Sequence, residues 1–140
     1  MTDRTYTTVV DGERRVWRVE RLWALARDLP TYDYPVAESP VLDQDRWFGD
    51  VHRPTVRAVV EHLRRIEAAD ARHAIIVSAA GDVMDGIHRI AQAWLAGRAT
   101  VPAVRFEVDP PPDRVEQVAE QAVEPAAAAH PPTEDDPWTT

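Results

Sequence analysis

The alternation of hydrophobic and polar positions changes period several times along the chain, and each change marks an element. TYTTVVDGERRVWRV carries β-branched and aromatic residues on both sides of Asp11-Gly12. That pair suits a two-residue hairpin turn, because both turn positions take positive φ. In ERLWALARDLP the period lengthens: Leu22, Leu25, Ala26 and Leu29 share one helical face, and Pro30 stops the helix. TYDYPVAES is short and aromatic and predicts a strand. Residues 41–53, VLDQDRWFGDVHR, show no period and predict a loop anchored by Trp47 and Phe48.

Pro54 suits the first turn of a helix. After it Val56, Val59, Val60, Leu63 and Ile66 recur at helical spacing, with Arg57, Glu61, Arg64, Arg65 and Glu67 on a solvated face. In HAIIVSAAGDVMDG the spacing predicts a buried strand over Ile75 to Ser78, a turn over Ala79 to Gly81, and a short return strand over Asp82 to Met84. A further helix opens near Asp85, with Ile87, Ile90, Ala91, Trp94 and Leu95 as its apolar stripe and Gly97 placed to end it. TVPAVRFEV closes the series as a strand with Val104, Phe106 and Val108 on one face.

From Asp109 the pattern dissolves. This stretch holds seven of the 12 prolines and an alanine run, with few large apolar residues to dock. It is expected to be a disordered acidic tail, with DDPWTT as a candidate partner peptide. The expected organisation is an N-terminal extension of hairpin and helix at 1–31, a core at 32–108 and the tail at 109–140.

Charge changes the picture once it is divided. Up to Glu107, 15 arginines face 16 acids; from Val108 onward one arginine faces 8 acids. Of the net charge of −8 the tail therefore carries −7, and the near-neutral core lacks the basic excess of a stand-alone nucleic-acid binder. Cysteine is absent, which removes disulfides and thiol chemistry; lysine is absent too, so no catalytic lysine or lysine-bearing phosphate loop exists. No run approaches a membrane span, and MTDRTYTTVV lacks the layout of a signal peptide, so a soluble cytoplasmic protein without a membrane partner is expected.

The chemistry concentrates in MDGIHRI, Met84 to Ile90, where a strand hands over to a helix. A helix start exposes unpaired backbone N–H groups and the positive end of the dipole. Gly86 admits a ligand close to the main chain, and His88 and Arg89 add charge-assisted donors, so the segment is a candidate anion site. Asp85 repels an anion unless it acts as the helix N-cap or holds Mg²⁺ that bridges to phosphate. The bland alternative is a turn and a cap with an idle histidine. His52, His62 and His73 are too widely spaced to indicate a metal site, and Ser39 and Ser78 sit in no nucleophile elbow. The tryptophans are expected in the core or at its boundary, with loop-borne Trp47 available to stack on a base.

VMDGIHRIAQAWLAGRATVPAVRF resembles the box, helix and last strand of the ParB/sulfiredoxin superfamily, and TYDYPV and the Pro54 helix occupy the places of that family's earlier strand and helix. The resemblance spans roughly Tyr32 to Val108. It implies a small α/β (α+β) domain, a mixed sheet packed with about three helices, that binds a nucleotide by its phosphates. Gly86, His88 and Arg89 fall on the phosphate box, with Asp85 before it as the implied metal residue. Ile87 stands where sulfiredoxins carry their reactive cysteine, which excludes that chemistry, and Ile87-His88 replaces the Glu-Arg of the CTP-hydrolysing partition proteins. No helix-turn-helix follows, so nucleic acid is not an expected partner.

The box is most similar to that of the free-serine kinase branch, where an acid after the first core strand serves as base. Glu38 takes that place here, with Asp43 and Asp45 behind it. The resemblance thus implies a Mg²⁺-dependent phosphotransferase or nucleotidase acting on ATP, ADP or CTP, with Glu38 and His88 catalytic. Its rival is a nucleotide-responsive interaction module without turnover, as a homodimer or with a protein partner.

Overall fold

A computed structural model describes residues 4–118. Their elements are, in order, strands β1 (Thr5–Val10) and β2 (Glu13–Arg18), helix α1 (Val19–Ala26), strand β3 (Tyr32–Pro35), a 3₁₀ turn at Pro40–Asp43, helix α2 (Val56–Ala68), strands β4 (Ile75–Val77) and β5 (Val83–Asp85), helix α3 (Ile87–Ala96), and strands β6 (Thr100–Arg105) and β7 (Arg114–Gln117). Three helices and two sheets make a mixed α+β protein, the class expected, with a second sheet beside the one mixed sheet anticipated. Among the described residues no helix is long and apolar enough to cross a membrane.

The described residues fall into two units, one of 4–6 with 18–111 and one of 7–17 with 112–118. This division differs from the expected 1–31 and 32–108: α1 joins the core, and the hairpin does not. In the smaller unit Asp11 and Gly12 turn the chain with φ of 50° and 79°, the two positive values a type I′ hairpin requires. β2 then pairs antiparallel with β7, Arg14 opposite Glu116 and Arg15 opposite Val115. The Asp113 N–H donates to Val16 O at 2.8 Å and the Val118 N–H to Gly12 O at 2.9 Å. Arg114–Gln117, expected in the disordered tail, is therefore a strand. The ladder on β2 supplies the order that its own composition does not. Residues 119–140, with DDPWTT, lie outside the described residues.

The larger unit holds a four-stranded sheet of order β3-β6-β4-β5, in which β4 and β6 run parallel and the other pairs antiparallel. Side chains alternate across it. Ile75 and Val77 of β4 and Val101 and Ala103 of β6 join Ile90 and Ala93 of α3, Val41 of the 3₁₀ turn, Tyr34 and Val36 in one buried cluster. Ile76 and Val104 face the other way, towards a cleft that α1 also lines. α1 buries Val19, Leu22 and Ala26, whereas Leu25 is exposed.

α2 departs from expectation. Its valine-leucine stripe does not meet the core: Val56 is 81% exposed, and Val59, Val60 and Leu63 are exposed as well. The side turned inward is that of Ala58, His62 and Ile66, none fully buried. Gln92 of α3 fastens the helix end, its Nε2 donating to the carbonyls of Ile66 at 3.1 Å and Ala69 at 2.8 Å. A polar clamp and a histidine contact thus set the rotation of α2, in place of the apolar period. Trp94 and Leu95 of α3 and Val108 are likewise exposed where the pattern predicts burial.

Candidate functional site

β5 ends at Asp85, which pairs with Ile76, and the chain then turns into α3 through Gly86. Gly86 has φ 112°, and a Cβ there would lie inside contact distance of the Ile75 Cγ2, 2.7 Å from its Cβ and 3.1 Å from Arg89 Nη2. Only glycine fits this step. Gly86 is itself the N-cap, and no side chain caps the helix. Asp85 is thus not the cap that its place in the sequence suggested.

The Asp85 carboxylate is instead the centre of a polar group on the α1 side. Its Oδ2 accepts from Trp23 Nε1 at 2.7 Å and from Arg89 Nη2 at 3.0 Å, and its Oδ1 lies 3.9 Å from Arg4 Nη1. The Arg4 guanidinium lies over the Trp23 ring, 5.0 Å from its centroid. The Asp85 and Arg89 side chains keep only 9% and 15% of their exposure, so the pair is shielded from solvent screening. Arg89 Nη2 also donates to Ala74 O at 3.3 Å, while its Nε–H is buried with no acceptor. This carboxylate does not fit Mg²⁺ as it stands. Two guanidiniums lie within 4 Å of it, and Oδ2 already accepts two charge-assisted bonds. Among the described residues no group of three or more histidines and acids is placed to hold a metal ion.

His88 leaves this group. Its Nε2 meets His62 Nδ1 of α2 at 3.2 Å. Trp47 covers both rings, with centroids 4.7 Å from His62 and 5.0 Å from His88, and Phe48 sets its edge against His62. Burial first, then the neighbouring His62 and Arg65, push the His88 imidazole down to about 4; His62 is also lowered, chiefly by burial. Trp47 therefore stacks on imidazoles. Adjacent helical residues point about 100° apart, so His88 turns towards α2 and Arg89 towards β4 and the α1 side.

The remaining candidates lie elsewhere. Glu38 is exposed after β3, which lies at the opposite edge of the sheet from β5. Asp43 is exposed in the 3₁₀ turn. Asp45 accepts from the Gly49 and Phe48 N–H groups at 2.9 and 3.0 Å, bonds that hold its carboxyl below the usual range. Ser39 caps the 3₁₀ turn and accepts from the Tyr34 hydroxyl, and Ser78 Oγ accepts from the Asp82 N–H in the β4–β5 turn.

Next to Arg89 opens a cleft of about 580 Å³, lined by Trp23, Arg27, His73, Ile76, Arg89 and Val104 among others. Arg4, Trp23 and His62 are the residues sequence reasoning missed. Trp23 and His62 lie on helix faces whose neighbours no local pattern specifies, and Arg4 precedes a strand, where a single arginine carries no signal. Compared with known proteins, the chain matches no family model, no curated protein and no solved structure.

Proposed function

We propose that this is a binding module of the ParB/sulfiredoxin kind that holds a nucleotide-like anion in the cleft beside Arg89, without turning it over. The observation that carries this reading is the buried Arg89 Nε–H without an acceptor. An unmet buried donor costs roughly 1–3 kcal/mol. Arg89 lines the cleft, and a phosphate or carboxylate oxygen recovers that cost when the guanidinium swings outward and presents its now closed Nε edge to the ligand. The cleft has the size of a ligand site, about 580 Å³. Arg27 and His73 line it with Arg89, while Trp23, Ile76 and Val104 offer apolar contact to a base. Strand, turn, return strand, glycine, helix and final strand also follow in the order that the resemblance implies.

The engagement of His88 with His62, and of Asp85 with Trp23 and Arg89, supports binding over catalysis. The phosphotransferase reading draws on the uncapped α3 start and requires His88 and Glu38 to act on the ligand. Calorimetry with ATP, ADP and CTP, with and without Mg²⁺, separates the two. Binding without phosphate release is expected. It should fall at least tenfold in Arg89→Lys, which keeps a charge for Asp85 and loses the fork, and remain unchanged in His88→Asn. Unaltered affinity in Arg89→Lys, or phosphate release that depends on His88, would overturn the proposal.

A further inference from the structure

We infer that His62, His88 and Trp47 form a proton-counting latch: it holds the 44–53 loop on α2 and α3 until both imidazoles are protonated, and then releases it. The geometry fixes the rule. The ring centroids lie 5.4 Å apart and the facing nitrogens 3.2 Å, so the two separations differ by about two ring radii and the nitrogens sit close to the line joining the centroids. With planes only 11° apart, the imidazoles lie end to end in nearly one plane, and Trp47 spans both. Such a contact needs one donor and one acceptor.

Two neutral imidazoles satisfy it. One added proton goes to an outer nitrogen and leaves the contact intact, as a charge-assisted bond beneath the indole face. A second proton sets N–H against N–H and two like charges side by side, and the contact fails. Charged neighbours set the threshold: Arg65 on α2 and Arg4 oppose protonation, and Glu61 on α2 and Asp85 of β5 favour it. Burial opposes it most, so the latch is closed at neutral pH and opens in acid. The loop has little else to hold it. Arg46 Nη2 donates to Val83 O at 3.2 Å, the Asp45 bonds are internal to the loop, and Gly49 to Arg53 are exposed.

Imidazole NMR titration of the full chain, combined with amide hydrogen exchange, tests the latch. His62 and His88 are expected to titrate as a coupled pair, in two steps a unit or more apart, both below 6.5. At the second step the protection factors of the loop amides, corrected for the intrinsic rate at each pH, should fall at least tenfold while those of β4 and β6 are kept. In His62→Gln the remaining His88 should titrate in a single step, and the acid-triggered change in the loop should disappear. Independent titration of the two rings, simultaneous loss of loop and sheet protection, or an unchanged acid response in His62→Gln would each overturn the inference.

Discussion

Gly86→Ala probes the close approach on which the candidate site is built, and Gly81→Ala supplies its internal reference. Both glycines have similar left-handed backbones, φ 112° and 100°. An L-residue held there costs roughly 1–3 kcal/mol, offset by ~0.5–1 kcal/mol from a stiffer unfolded chain. At Gly81 nothing lies within 4 Å of the added methyl, so that is the whole effect. At Gly86 the methyl meets the Ile75 side chain, 2.7 Å from its Cβ. Ile75 is fully buried in the α3-side cluster and has no room to retreat. Overpacking of this kind costs about 1–3 kcal/mol more. Urea denaturation followed by tryptophan fluorescence, with both variants analysed at a common slope, measures the difference directly. A Gly86→Ala cost within ~0.5 kcal/mol of the Gly81→Ala cost would refute the argument, because the β5–α3 step would then have space that the packing denies.

Asp85→Ala should destabilise by about 3 kcal/mol by stranding Arg89 in a largely buried position, and Trp23→Phe by about 1 kcal/mol through loss of one donor. A double-mutant cycle in urea should find the two non-additive, since both act on the same carboxylate oxygen. Stability should also fall with acid. His88 is held at about 4 against an ordinary 6.5, so between these values the unfolded chain binds more protons than the folded one. The contribution is complete above pH 6.5 and lost as pH falls through 4; thermal melts at pH 7, 5.5 and 4 should show a steeper decline for the wild type than for His88→Asn.

Much of the scaffold was legible because it follows from local rules. The Asp11-Gly12 hairpin, the β4–turn–β5 unit, the glycine step into α3 and its end at Gly97 each rest on backbone preferences of a few neighbouring residues. The candidate site was legible only in part. Asp85, Gly86 and Arg89 do come together, as their spacing implies. Their outside partners do not follow from spacing: Trp23 is 62 residues from Asp85 and His62 is 26 from His88. Arg114–Gln117 shows the same limit, because its order comes from pairing with β2, far away in sequence.

The amino-acid sequence by itself determined where most of the helices and strands lie, β7 excepted, and that an aspartate, a glycine, a histidine and an arginine meet at one helix start. Tertiary structure alone decided that the apolar stripe of α2 faces outward, that Asp85 serves an arginine and an indole, and that His88 belongs to a second histidine. The reason is geometric. Periodicity fixes the angle between side chains on one helix, about 100° per residue, but not the neighbour that each angle meets. That choice depends on how the α2–α3 clamp and the sheet orient each helix, through contacts between residues distant in the chain.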